Sequence, residues 1–64
     1  MHSDRLLRLH QVEEKIGLGK SWIYQQIRLQ KFPSAIRINS RHVAWLESEV
    51  DAWICQRIRI TRNI

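Results

Sequence analysis

The chain has 64 residues, with 11 lysines and arginines against 6 aspartates and glutamates and a formal net charge of +5. A chain this short forms one small domain with a thin core, so neither a deep catalytic cleft nor an enzyme is expected. The single cysteine excludes an internal disulfide, and the longest strictly apolar run covers only residues 43–46. We therefore expect a cytoplasmic protein that does not enter a membrane.

The first predicted helix covers about residues 10–16. Val12 and Ile16 lie four residues apart on one helical face, and the positions between them are polar or charged. Gly17 is suited to end this helix, because glycine readily adopts the left-handed conformation of a helix C-cap. Leucines at positions 6, 7 and 9 form an apolar lead-in that is expected to pack on the core.

A second helix is predicted to begin directly after a turn of about three residues at 17–19. Gly19 or Ser21 is the expected N-cap, and Ile23 and Ile27 form an inward-facing stripe. The Phe-Pro pair at 32–33 ends the helix, near residue 30. Two helices separated by so short a turn meet the requirement for a helix-turn-helix.

After the second helix the pattern changes from helical to alternating. Apolar residues at 36 and 38, and again at 43 and 45, predict a β-hairpin with a turn at 39–42. Asn39 suits that turn because asparagine tolerates positive φ. Ser48 and Asp51 have the spacing of a capping box, so they predict the start of a third, structural helix.

The predicted fold is mainly α with a small β-hairpin: a winged helix-turn-helix of three helices and a two-stranded wing. Residues 1–64 form one domain, with a core from about 6 to 58 and a basic tail at 59–64. Residues 15–46 contain no acidic residue, and their basic residues are Lys15, Lys20, Arg28, Lys31, Arg37 and Arg41. A patch of one sign attracts polyanions, whereas an ordinary soluble surface mixes both signs. A solvated basic face without a partner is the alternative.

The order of these parts, together with several short motifs, resembles the AlpA family of prophage regulators, relatives of phage excisionases with a MerR-type winged-helix fold. The resemblance covers about residues 6–58, and its motifs are Leu7-Arg8-Leu9, 12–18, Ile23-Tyr24, Ile27-Arg28, Lys31-Phe32-Pro33, and Trp45 followed by 47–54. It implies sequence-specific DNA binding by a transcriptional regulator of the prophage or mobile-element type, or by an excisionase.

Three positions depart from the family pattern. Gly19 stands where a serine or threonine often caps the second helix, a difference of roughly a few tenths of a kcal/mol. Gln30 stands where glycine is usual, so it must adopt the helix-ending conformation less comfortably. Asn39 and Ser40 replace the paired glycines of the hairpin tip. No basic or core position is lost.

The start of the second helix carries the residues expected to recognise DNA. In a helix-turn-helix this part enters the major groove, which assigns contacts to Lys20, Ser21, Tyr24, Gln25 and Arg28. The amide of Gln25 is suited to adenine and the fork of Arg28 to guanine or phosphate, whereas the hydroxyl groups suit the DNA backbone. Which residue reads which base stays open.

The hairpin is expected to act as a wing beside that helix. Its contact residues are Arg37, Asn39, Ser40, Arg41 and His42, with Arg41 following a phosphate or entering a narrow minor groove. The expected partner is double-stranded DNA in the nucleoid, and no small-molecule substrate is implied. A module this small buries only about 600–1,000 Å² on DNA, so cooperative binding with a second copy or an integrase is also expected.

Two other functions remain open. A protein-binding module of the same fold would inhibit or modulate a regulator or an integrase, through Trp22 and the third helix. A binder of single strands would stack bases on exposed tryptophans, although Trp45 and Trp53 are expected to belong to the core.

No metal site, cofactor or nucleophilic centre is predicted. The histidines at 2, 10 and 42 and the cysteine at 55 match no zinc spacing, and no motif for an orienting group or an oxyanion site accompanies them. Cys55 is expected to be a small, partly buried apolar residue.

Overall fold

The helix-turn-helix and a third helix pack on a small antiparallel sheet. The computed structural model describes residues 4–62, and its elements are β1 (Leu6–Leu7), α1 (Leu9–Ile16), α2 (Lys20–Arg28), β2 (Ile36–Arg37), β3 (Val43–Leu46) and α3 (Glu47–Arg62). A mainly helical winged helix-turn-helix is thereby confirmed. The lead-in leucines add a third strand, because β1 pairs with β3 and the sheet order is β1-β3-β2. His2 and the tail positions 63–64 lie outside the described residues.

Trp45 on β3 lies at the centre of the core. Its side chain is fully buried, and its indole N–H donates to the carbonyl oxygen of Pro33 at 3.0 Å. The single polar atom of the side chain is therefore satisfied, as burial of an indole requires. Apolar residues from all three helices, from β1 and from the loop after α2 complete the cluster: Leu7, Val12, Ile23, Phe32 and Val50. The expected core role of Trp45 is confirmed.

The turn between α1 and α2 follows the sequence prediction. Gly17 adopts the left-handed conformation with φ of 75°, and its N–H donates to the carbonyl of Glu13 at 2.8 Å. Gly19 is the N-cap of α2, and its carbonyl accepts the N–H of Ile23 at 3.1 Å. Glycine suits position 17 because only a residue without Cβ adopts positive φ freely.

Gln30 ends α2 in a left-handed conformation, with φ of 60°. Its N–H donates to the carbonyl of Ile27 at 2.9 Å, and the N–H of Lys31 donates to that of Gln26 at 2.8 Å. These two hydrogen bonds form a Schellman motif, in which glycine is usual at the position of Gln30. The uncomfortable conformation expected for Gln30 is confirmed.

The predicted capping box at the start of α3 is wrong, because the helix already begins at Glu47 and Ser48 lies in its first turn. The N–H and hydroxyl of Ser48 donate to the carboxylate of Asp4 at 3.2 and 2.6 Å, and the N–H of Glu47 donates to the carbonyl of Arg5 at 2.8 Å. The cap thus comes from the segment before β1. These hydrogen bonds from Ser48 lower the pKa of Asp4 below its ordinary value of 3.8.

Three aromatic side chains tie α2 and the loop after it to α3. The rings of Phe32 and Trp53 meet edge to face at 4.9 Å between centroids, and Trp22 meets them at 6.5 and 6.0 Å. The indole N–H of Trp53 also donates to the carbonyl of Lys31 at 2.8 Å. Trp22 and Trp53 are half buried by this cluster, so Trp53 packs against the core as expected.

Three further features of the described residues concern Cys55, the ability of a helix to span a membrane, and metal binding. Cys55 is exposed, so the expectation of partial burial is wrong. Of the helices in residues 4–62, none has both the length and the apolar composition needed to cross a bilayer. The same residues bring together no group of three His, Cys, Asp or Glu side chains placed to hold a metal ion.

Replacing Gln30 by glycine is expected to raise the free energy of unfolding by up to about 1 kcal/mol, because glycine adopts positive φ without a Cβ penalty. Urea denaturation followed by tryptophan fluorescence measures the change. Gln26→Gly is the matched control, since Gln26 lies inside α2, where glycine lowers stability by roughly 0.5–1 kcal/mol. Destabilisation by both substitutions would contradict the strain assigned to Gln30.

Acid is expected to weaken the cap that Asp4 provides. Because the folded pKa of Asp4 lies below its ordinary value of 3.8, the ionised carboxylate stabilises the fold above that value, and this contribution is lost as the pH falls through the folded pKa. Asp4→Asn should lower the Tm at neutral pH and make the Tm less sensitive to acid. Glu14→Gln, on the exposed side of α1, is the control. An unchanged acid response in Asp4→Asn would overturn this assignment.

Candidate nucleic-acid interface

The residues predicted on α2 share one side of the helix. At about 100° per residue their positions fall within an arc of about 140°. Ile23 and Ile27 lie outside that arc, Ile23 in the core and Ile27 packed against it. Tyr24 is half buried, and the exposed members of the set are Lys20, Ser21, Gln25 and Arg28. The structure therefore brings this part of the predicted site together as one polar and basic face.

Tyr24 connects that face to the core. Its ring meets Trp45 edge to face, with centroids 6.2 Å apart and an interplanar angle of 61°. An aromatic pair of this geometry contributes about 0.5–1.5 kcal/mol beyond its buried area. The contact also fixes the rotation of α2 about its own axis, because Tyr24 lies within this arc, between Lys20 and Arg28.

The first turn of α2 concentrates positive potential. Gly19 provides no side-chain hydrogen bond to the helix N-terminus, and the first turn contains no acidic residue. The N-terminal end of a helix carries a partial positive charge, and Lys20 adds a full charge of the same sign. This arrangement is unfavourable for the isolated helix and favourable for binding an anion.

The tip of the wing is built by the side chain of Asn39. Its Oδ1 accepts the N–H groups of Arg41 and His42 at 2.9 and 3.0 Å and lies 3.0 Å from the Nδ1 of His42. This is an Asx-type turn, in which a side-chain oxygen replaces a backbone acceptor. Positive φ is not needed here, since Gln30 is the non-glycine residue that adopts it within residues 4–62. Asn39 and His42 therefore hold the turn, and all of residues 39–42 are exposed.

Arg37 lies beside the tip on β2. It pairs with Val43 of β3 in antiparallel register, and residues directly opposite each other in such a pair project to the same face of the sheet. Arg37 is exposed. Its charge therefore lies on the same side of the wing as Val43.

A shallow depression joins the start of α1, the face of α2 and the wing. Tyr24 of α2 and Arg41 of the wing both line it, together with Arg8, Leu9, His10 and Val43. The sequence analysis assigns no DNA contact to Arg8 or His10, because both precede the acid-free stretch 15–46. The signal available was their place at the start of α1, next to a helix expected to bind DNA.

Lys15 does not belong to this face, although it lies within the acid-free segment. Its Nζ contacts the carboxylates of Glu47 at 3.2 Å and Asp51 at 3.0 Å. These hydrogen bonds, with Asp51 the stronger influence, raise the pKa of Lys15 above its ordinary value. Lys15 therefore joins α1 to α3, and its charge is balanced by acids from another part of the chain.

A wing packed beside a helix-turn-helix makes this a winged helix-turn-helix protein. Sequence comparison gives the family. A model of the family described as Prophage CP4-57 regulatory protein (AlpA) matches residues 5–58, and the chain belongs to this AlpA family.

Two relatives show how far the similarity extends. The chain is 44% identical to the uncharacterized protein ORF88 of Enterobacteria phage P4, over 86% of this chain and 62% of the phage protein. It is 31% identical to the DNA-binding transcriptional activator AlpA of Escherichia coli strain K12, over 88% of this chain and 89% of that protein. The chain thus spans less than two thirds of the phage protein. No solved structure matches the chain.

Asn39→Ala is expected to loosen the tip of the wing, because the N–H groups of Arg41 and His42 lose their acceptor. Amide hydrogen exchange measured by NMR should be faster at both residues, with the core amides unchanged. Ser40→Ala is the matched control at the neighbouring exposed position. Equal exchange rates in wild type and Asn39→Ala would show that the side chain does not hold the turn.

Proposed function

We propose that this chain is a sequence-specific DNA-binding transcriptional regulator of the prophage type, acting in the bacterial nucleoid. The observation that supports this most directly is the depression lined by both Tyr24 and Arg41. Because it joins the face of α2 to the wing, one duplex can contact both elements. The E. coli relative is named a DNA-binding transcriptional activator, and we extend the DNA-binding role to this chain.

The distribution of charge favours this orientation on DNA. Lys20, Arg28, Arg37 and Arg41 are exposed on α2 and the wing. Two acids of α3, Glu47 and Asp51, pair with Lys15 instead, and no acidic residue of the described chain lines the depression. A duplex approaching α2 therefore meets positive charge, and binding is expected to release counterions from its phosphates.

We assign distinct roles to the residues on α2. Gln25 and Arg28 carry side chains suited to the edges of adenine and guanine in the major groove. Lys20 and the hydroxyl groups of Ser21 and Tyr24 position the helix on the sugar-phosphate backbone. On the wing, Arg41 and Arg37 supply charge, with Ser40 beside them at the tip, while Asn39 and His42 contribute by holding the loop in place.

A role as an excisionase, with cooperative binding to adjacent sites, extends this proposal. A single module of this size buries only about 600–1,000 Å² on DNA, so a second copy or an integrase is the expected source of added specificity. The second half of α3 supports protein contacts, because Ile58 and Ile60 are 45% and 65% exposed. The same observation supports the alternative function, a protein-binding module that modulates a regulator or an integrase.

Lys20→Ala combined with Arg28→Ala is expected to weaken binding to a duplex selected by the wild type from a random pool. The loss should be at least tenfold, because one bidentate base contact contributes about 1–3 kcal/mol. Fluorescence anisotropy measures the affinity and circular dichroism checks the fold. Arg59→Ala, on the exposed end of α3, is the matched control. Full binding by the folded double variant would contradict the proposed interface.

DNA protection mapping distinguishes transcriptional control from a role as an excisionase. It is applied to the DNA around the protein's own gene and to the ends of any surrounding mobile element. Protection at an attachment site supports the excisionase role, and protection at a promoter alone supports transcriptional control. Co-purification of a protein partner, with duplex binding no stronger than that of a generic basic protein, would instead support the protein-binding module.

A further inference from the structure

We propose that the depression between α1, α2 and the wing binds one backbone phosphate of DNA, held jointly by Arg8 and Arg41. This inference rests on the proposed function and deepens it, because it adds α1 to an interface otherwise formed by α2 and the wing. Two arginines from distant parts of the chain thereby share one ligand.

Both arginines extend from backbone that is held in place. The N–H of Arg8 donates to Oε1 of Gln11 at 2.8 Å, and its carbonyl accepts the N–H groups of Gln11 and Val12, each at 3.0 Å. The N–H of Arg41 donates to Oδ1 of Asn39 at 2.9 Å. A ligand bound between the two side chains therefore has to order the side chains but not the backbone that carries them.

The chemistry of the depression is that of an anion site. Its polar lining is Arg8, His10, Tyr24 and Arg41, and among the described residues that line it none is acidic. The ion pairs found within residues 4–62 involve Lys15 rather than either arginine. Two guanidinium groups around one depression repel each other until an anion lies between them, and each presents a planar fork that fits phosphate oxygens.

The position of the depression identifies the anion as a DNA phosphate. Tyr24 belongs to the face of α2 assigned to the major groove, and Arg41 belongs to the wing assigned to the flanking backbone. A phosphate between the two contacts would lie in the stretch of strand that passes from one to the other. Tyr24 and His10 also line the depression, and a phenol and an imidazole can each donate a further hydrogen bond to a phosphate.

The salt dependence of binding tests whether the two arginines share one phosphate. Anisotropy titrations with one labelled duplex at several salt concentrations compare wild type, Arg8→Ala, Arg41→Ala and the double variant, with Arg59→Ala as control. The slope of log affinity against log salt should fall by about 0.9 in the double variant, the change for one phosphate. Each single variant should show part of that fall, and Arg59→Ala should match wild type.

Three results would overturn the inference. A fall of about 1.8 in the double variant would mean two separate phosphates. An unchanged slope in Arg8→Ala would remove α1 from the interface and leave the proposed function intact. Arg8→Gln, which keeps a long polar side chain at the N-cap, must behave like Arg8→Ala; a wild-type slope in Arg8→Gln would assign the effect to helix packing. If wild type binds the duplex no better than the Lys20, Arg28 double variant does, the proposed function itself fails.

Discussion

The burial of Trp45 couples the two parts of the proposed DNA interface. Its ring contacts Tyr24 of α2, and its indole N–H is held by the carbonyl of Pro33. The same strand, β3, begins beside the wing tip and leads directly into α3. Because close-packed cores have few alternative arrangements, the packing of one side chain sets the position of the wing relative to α2.

Ion pairs, as well as the distribution of residue types along the chain, determine where unbalanced charge lies. The carboxylates of Glu47 and Asp51 lie near the N-terminal end of α3, where the helix dipole favours negative charge, and both contact Lys15. Asp4 adds a third carboxylate at the same helix end through Ser48. These three carboxylates thus join α1, α3 and the segment before β1. Arg8, Lys20, Arg28, Arg37 and Arg41 are outside these pairs and lie at the start of α1, on α2 and on the wing, whereas Arg57, Arg59 and Arg62 lie on α3.

Local hydrogen bonds compensate for the departures from the family pattern at the wing tip and at the end of α2. At the wing tip, Asn39 replaces the conformational freedom of glycine with a side-chain acceptor that closes the turn. At the end of α2, Gln30 adopts the left-handed conformation that glycine would adopt freely, and the flanking Schellman hydrogen bonds stabilise it. Helix and wing geometry therefore survive the loss of these glycines, because neighbouring hydrogen bonds and the Phe32 and Trp53 packing hold the chain.

Local pattern alone determined the helix-turn-helix, the hairpin and the core role of Trp45, because helical spacing, turn residues and strand alternation are properties of neighbours in the chain. Local pattern failed where a polar or charged side chain pairs with a residue far away in the sequence. The spacing of Ser48 predicts a cap for its own helix, but Ser48 donates to Asp4 instead. The charge pattern places Lys15 in the basic patch, but Lys15 pairs with Asp51 of α3. Arg8 shares a depression with Arg41 only through folding. Hydrogen bonds and ion pairs depend on distance in space, so only the tertiary structure decided which charges are balanced and which remain to face a ligand.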